Sequence, residues 1–230
     1  MPFDVDDVAA LYLKYADDLA AARHAQRALL APGGPRLHPK LDDIEAELSY
    51  LLVRHHRPAV VTEIGTFHGW STTWLLRALR DNMAGELHSY DIVDHARRSV
   101  PADLAEGRWR FRHSDARTAD DLVPQGIDYL FIDAAHTASF ARWYTAGLFS
   151  RLRPGTPVSV HDVYHRRRPG RFSEGRVVLD WLAERGVGHV TVSRAAAPEW
   201  YHELMAVRDG LGLAEPVHQS GPNPMIFFEL

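Results

Sequence analysis

From Pro58 onward, short apolar runs rich in β-branched residues alternate with helical stretches, and this alternation constrains the fold more than any other feature of the chain. Ala59–Ile64, Glu86–Asp91, Trp109–His113, Ile127–Asp133, Pro157–Asp162, His189–Ser193 and Met225–Leu230 read as strands. Helical patterns fall over 71–80, 139–151 and 175–185. Strand–helix alternation predicts a mostly parallel sheet covered on both faces. In such sheets ligands bind beyond the carboxyl ends of the strands, which is where the polar residues of this sequence fall. Upstream, Val5–Leu30 is patterned as a helix, a breaker cluster follows at 31–39, and a second helix is predicted from Pro39 to His56. Residues 1–57 thus read as an N-terminal helical cap, and 58–230 as one compact unit.

Composition narrows the function. The chain has 230 residues, a length suited to one α/β domain with additions at its edges. Its 46% hydrophobic and 24% charged residues exclude disorder as the main state. With 26 Lys and Arg against 30 Asp and Glu, the net charge is −4. That argues against a general nucleic-acid binder, which needs a basic face. There is no cysteine, so disulfides, a thiolate nucleophile and thiolate-held metals are excluded. Acids stand where a signal peptide needs a basic start, and no run approaches the ~20 apolar residues of a membrane helix. The expectation is a soluble, cytoplasmic protein without membrane partners.

Two places carry candidate chemistry. In the first, Glu63-Ile-Gly65-Thr-Phe-His-Gly69-Trp-Ser71 joins the first strand to its helix. Glycines at 65 and 69 permit positive φ and close backbone approach to a ligand. The helix starting near Ser71 offers free N–H groups to an anionic or polar group. The spacing is not the G-x-G-x-x-G of nicotinamide enzymes. Asp91 closes the second strand, placed to accept both hydroxyls of a ribose, and Asp115-Ala116 follows the third, where an acid can accept from an adenine amine. Each piece alone is ordinary loop or cap chemistry, but three in register on successive strand ends favour a nucleoside.

The second place is the pair Asp133-Ala-Ala-His136 after the fourth strand and His161-Asp162 after the fifth. Neighbouring parallel strands end at one sheet edge, so these four side chains can converge. Asp and His there suit a divalent cation, and a histidine there can serve as general base. The plainer reading is that Asp133 caps a helix and His161 packs at a strand end.

Glu63-x-Gly65-x-x-x-Gly69, Tyr90-Asp91 and Ser114-Asp115-Ala116 together resemble the S-adenosylmethionine signature of class I methyltransferases, over about Pro58–Asp162 plus the final strand. The resemblance implies a Rossmann-like α/β fold with a seven-stranded sheet, mostly parallel, its last strand antiparallel. It also implies roles. Gly65, Gly69 and Ser71 would face the methionine part, with Glu63 near its amino end or orienting the turn. Asp91 would hold the ribose, and Asp115 with Ala116 the adenine. Asp133 would border the cofactor.

I-D-x-x-H at the fourth strand and H-D at the fifth are similar to the macrocin and mycinamicin type of sugar O-methyltransferase and to the cephalosporin hydroxylase-like group. That likeness implies a divalent metal, magnesium first, held by Asp133, His161 and Asp162, with Asp133 and His136 catalytic and His136 the base. Imidazole is a poor magnesium ligand, so His161 points either to a place beside the metal or to manganese or iron. The activity implied is O-methylation of a small-molecule hydroxyl in natural-product or sugar tailoring, by a homo-oligomer.

The remaining signals are weaker. The basic stretch 164–175 reads either as a lid whose arginines meet an anionic acceptor or as a solvated loop, and Glu174 as a helix start. Trp70 adjoins the glycine turn, while Trp143 and Tyr144 are placed to line an acceptor pocket. Segments 197–202 and 218–224 read as insertions. Three other classes stay open: a methyltransferase-fold enzyme with non-methylating chemistry, a nicotinamide-dependent oxidoreductase, and a non-catalytic sensor of S-adenosylmethionine.

Overall fold

The computed structural model describes residues 4–120, 122, 126–218 and 221–230. Its centre is a seven-stranded sheet in the order β3-β2-β1-β4-β5-β7-β6. The strands are β1 (Val60–Ile64), β2 (Glu86–Asp91), β3 (Trp109–His113), β4 (Tyr129–Ile132), β5 (Pro157–Val160), β6 (Val190–Thr191) and β7 (Ile226–Glu229). β1 to β5 run parallel, and β7 lies antiparallel to both β5 and β6. This is the mostly parallel sheet that the alternation predicts, with the antiparallel last strand that the resemblance implies.

β4 has four buried residues and no charged one, as a strand covered on both faces must. Ile64 pairs with Tyr90 and Ile132, Asp91 with His113, and Ile132 with Val160. The carboxyl ends of the five parallel strands are therefore level. Strand order reverses between β1 and β4, and a crevice opens at such a switch point.

The helices are α1 (Val5–Lys14), α2 (Ala16–Leu29), α3 (Asp43–His56), α4 (Trp70–Asp81), α5 (Ala96–Ser99), α6 (Ala102–Ala105), α7 (Ala138–Trp143), α8 (Glu174–Arg185) and α9 (Pro198–Gly210). Three differ from expectation. The single helix over 5–30 breaks at Tyr15, whose ψ of 24° ends α1, and Asp17 and Asp18 give α2 its own acidic first turn. The helix over 139–151 is α-helical only to Trp143 and then loosens into a π turn over 144–148, where the Thr145 hydroxyl donates back to the Ala141 carbonyl. α9 covers the segment expected as an insertion at 197–202. Pro198 sits in its first turn, but only Leu204 and Arg208 are buried, too thin a stripe to read as a helix face. Of the second insertion, residues 219 and 220 lie outside those described.

α3 packs along α4, and α1 packs on α9. Tyr12, Leu19, Leu48, Leu51 and Trp74 fill this side of the core with no exposure above 1%. Among the described residues, no helix is long and apolar enough to cross a membrane.

Candidate functional site

The glycine turn is shaped by the end of β4. Gly65 has φ +90°, and a Cβ on it would lie 1.7 Å from the Asp133 carbonyl oxygen. Only glycine lets the turn cross there. Gly69 has φ +84°, and its missing Cβ leaves room for Val100. Gly69, expected at the ligand, is not among the residues that line the cleft.

Glu63 and Ser71, expected at the cofactor, face each other in the interior. The Glu63 carboxylate is wholly buried and accepts from the hydroxyls of Ser71 (2.6 Å), Ser89 (2.6 Å) and Thr72 (2.9 Å). It ties α4 to β1 and β2. Burial, against the help of those hydroxyls, pushes its pKa up to about 7. Trp70 likewise turns inward, against Trp74.

Asp91 does two jobs. Its Oδ2 accepts from the backbone N–H groups of Thr66 (2.7 Å) and Phe67 (2.8 Å), and its Oδ1 from that of Val93 (3.0 Å). Oδ2 also accepts from the Thr66 hydroxyl (3.0 Å), so the capacity left toward the cleft that Asp91 lines is on Oδ1. Asp115 lines the same cleft with Ala116, and its carboxylate is held by Arg117 at 2.5 Å, which keeps its pKa below the usual range. A hydrogen-bonding ligand there competes with that guanidinium.

The cleft has a volume of about 670 Å³. Its apolar walls include Ile64, Tyr90, Ile92, Ala116 and Phe140, and its far end is the acid–histidine cluster. Trp143 and Tyr144, expected at an acceptor pocket, pack instead around Phe140 and Phe149.

At that far end Asp133, His136, His161 and Asp162 do come together, but not in the expected roles. Each of Asp133, His136 and Asp162 offers one ligand atom, and these lie within 4.8 Å of one another. His136 Nε2 stands 3.5 Å from Asp133 and 3.4 Å from Asp162. Three acceptor atoms facing each other need a positive charge between them, a proton or a cation. The hydrogen bond to Glu174, against burial and with help from Asp133 and Asp162, raises the His136 pKa.

His161 is engaged elsewhere. Its Nδ1 lies 3.2 Å from both Asp133 and Asp162, and its Nε2 lies 3.4 Å from Glu45 of α3. Burial alone would lower its pKa, but Asp133 and Glu45 outweigh that and hold it well above the ordinary imidazole value. An imidazolium has no lone pair for a metal. Among the described residues the donor atoms grouped closely enough for one cation are those of Asp133, His136 and Asp162, while His161, expected in that set or beside it, sits between Asp133, Asp162 and Glu45.

Sequence reasoning missed several residues here. Lys40 and Asp42, from the segment before α3, line the cleft. Glu45 accepts from the Met225 N–H (2.7 Å) as well as facing His161. His165 reaches Asp162 at 3.1 Å. Glu174, at the start of α8, lies 3.4 Å from His136. The one available signal was the capping-box pattern Asp42-x-x-Glu45, which explains a helix start without any site.

With this geometry in place, comparison is informative. A family model described as a methyltransferase domain matches residues 62–163. No curated protein sequence matches the chain. Among solved structures, an O-methyltransferase from Bacillus cereus in complex with SAH is similar over 98% of this chain and 99% of that one, with 16% identity and a TM-score of 0.58. TomG, an O-methyltransferase from Streptomyces achromogenes involved in tomaymycin synthesis and bound to SAM, is similar over 93% and 89%, with 21% identity and a TM-score of 0.52. A SAH-bound methyltransferase from Podospora anserina is similar over 76% and 82%, with 14% identity and a TM-score of 0.52. The segment that the family model matches runs from β1 to just past β5 and contains both halves of the site, and the chain has the fold of these O-methyltransferases.

Proposed function

We propose that the protein is an S-adenosylmethionine-dependent O-methyltransferase acting on a small-molecule hydroxyl, with a divalent cation held by Asp133, His136 and Asp162. The observation that carries this reading is the convergence of those three donors at one end of a cleft whose other end carries Asp91, Asp115 and Ala116. Two carboxylates and one imidazole suit magnesium less well than manganese or iron. The involvement of TomG in tomaymycin synthesis supports a natural-product acceptor.

S-adenosylmethionine supplies a methyl group already activated on a sulfonium sulfur. The protein then has to align an acceptor oxygen and take its proton. Asp91 holds the glycine turn closed from behind while offering the capacity left on Oδ1 to the ribose hydroxyls. The apolar walls exclude water. Asp133, His136 and Asp162 would hold the divalent cation, which would supply Lewis acidity to lower the pKa of the acceptor hydroxyl. A second reading is favoured by the 42% exposure of the His136 side chain toward the cleft: His136 itself takes the proton, with no metal.

Calorimetric titration of the metal-stripped protein with S-adenosylhomocysteine, magnesium and manganese separates these. The expected result is binding of S-adenosylhomocysteine, and a metal heat abolished in Asp133→Asn. Cofactor binding without any metal heat leaves His136 as base, with His136→Ala then costing about 10²–10⁴-fold in rate. Absence of S-adenosylhomocysteine binding overturns the methyltransferase reading.

A further inference from the structure

Glu174 is a buried carboxylate that neither the fold nor the proposed cation site uses. It opens α8 after the N-cap Ser173 and is only 2% exposed. Its Oε1 accepts from the Tyr144 hydroxyl at 2.9 Å, and its Oε2 lies 3.4 Å from His136 Nδ1.

The backbone fixes this contact from both sides. Thr137, next to His136, forms an antiparallel bridge with Ser173, next to Glu174. A Cβ on Gly175 would lie 2.6 Å from the Val163 carbonyl oxygen, so the start of α8 presses directly on the residue after Asp162. His136 (φ +49°) and Asp162 (φ +58°) both hold left-handed conformations, which non-glycine residues keep only where their surroundings demand it.

Carboxylates only accept, and His136 faces them on both sides; Asp133 and Asp162 are already paired with His161, whereas Glu174 has, among the described residues, only the Tyr144 hydroxyl besides, which places the ring hydrogen on Nδ1. The neutral ring then carries its lone pair on Nε2, the atom that faces Asp133 and Asp162. We propose that Glu174 is a positioning residue: it fixes His136 in the Nδ1–H tautomer and so reserves Nε2 for a cation or for the acceptor's proton, while Tyr144 holds Glu174 in place. The proposal rests on the site described under Proposed function and deepens it. A carboxylate serving only the start of α8 would leave the tautomer of His136 indifferent to it.

Glu174→Gln tests this without cofactor, metal or acceptor. The glutamine oxygen can still accept from Tyr144, but its amide then donates to His136 Nδ1 and favours the opposite tautomer. Nitrogen-15 NMR of the His136 ring at alkaline pH reads the result. The expected finding is Nδ1–H in the wild type, Nε2–H in Glu174→Gln, and Nδ1–H restored in Glu174→Asp. A wild-type ring already in the Nε2–H form, or no change in the glutamine variant, overturns the proposal. The kinetic counterpart is a fall in kcat of about 10–100-fold, the size typical when a partner of a ligating group is lost. KM for S-adenosylmethionine and affinity for S-adenosylhomocysteine should stay unchanged. If Glu174→Gln does not fold, Tyr144→Phe frees the carboxylate from its anchor and should give a mixture of tautomers; a ring still wholly Nδ1–H there removes Tyr144 from the proposal. S-adenosylhomocysteine binding by the wild type checks the methyltransferase reading separately.

Discussion

Two groups of charges sit on either side of α3, one buried and one lining the cleft, and they are built from different cations. On the helical side, Glu47 accepts from Arg208 Nε (2.8 Å) and Nη2 (3.0 Å), from Tyr12 (2.7 Å) and from Arg23, while Asp43 accepts from the N–H groups of Val217 and His218. On the cleft side, Asp133, Asp162, Glu45 and Glu174 face His136, His161 and His165. Guanidinium groups stay charged at any working pH, so the first group is closed on itself and locks α2, α3 and α9 together. Imidazoles carry charge only when protonated, so the second group changes with what enters the cleft. The same acids thus make a clamp in one place and a responsive site in the other. The choice of cation decides which.

The sharpest way to break this comparison is to remove one acid from each group. Glu47→Ala leaves Arg23 and Arg208 buried with Asp43, 3.5 Å from each, as their shared counter-charge, and removing one partner of a buried pair this way costs about 3–5 kcal/mol. Urea denaturation should show that loss as a lower midpoint. Asp133→Asn should lower the midpoint less, because His161 keeps Glu45 and Asp162 as partners, while abolishing stabilisation by added manganese. Equal losses in the two variants would show the site to be a second clamp.

How much of this was legible in the sequence follows from the same physics. The strand ends were readable because an apolar run that stops at Gly65, Asp91 or Asp133 announces its own edge. That fixed the sheet and the place of the cleft. The partition of roles between His136 and His161 was not readable. It depends on the left-handed backbone at His136 and Asp162, and on Glu45 and Glu174 arriving from elements far away in the chain. Glu63 was open to two readings, a ligand contact or a support for the turn, for a related reason. An acid beside a glycine turn looks available to a ligand until Ser71, Thr72 and Ser89 are seen to saturate it.

Glu63 gives the next test, and it belongs to neither group, since hydroxyls and no cation surround it. Its pKa is raised to about 7 from an ordinary 4.5. The folded state therefore holds a proton that the unfolded state has released between those values. Stability from this residue is complete below the unfolded pKa and falls as pH rises through the folded one, by up to roughly 3 kcal/mol. Glu63→Gln keeps a group able to donate to and accept from the three hydroxyls. The expected outcome is a stability–pH profile flatter than wild type between pH 4.5 and 7. Parallel profiles would mean that the hydroxyls compensate the buried charge fully.

The smallest effect is the most discriminating, because the two groups share one motif. Tyr12 donates to Glu47 at 2.7 Å, and Tyr144 donates to Glu174 at 2.9 Å; both phenols are buried. Replacing either by phenylalanine removes one hydrogen bond to a carboxylate, worth about 1.5 kcal/mol. The stability losses of Tyr12→Phe and Tyr144→Phe should therefore be similar. Their consequences for turnover should not be. Glu47 keeps two guanidinium partners when Tyr12 is lost, so the clamp holds and kcat stays at the wild-type value. Glu174 has no other hydrogen-bond donor than Tyr144 and His136 among the described residues, so losing Tyr144 lets the carboxylate turn away and kcat falls. Matched stability losses with unmatched kcat would place the difference in what each carboxylate is for. A fall in kcat for Tyr12→Phe as well would mean that α3, which carries both Glu47 and Glu45, transmits strain from the clamp into the site through His161.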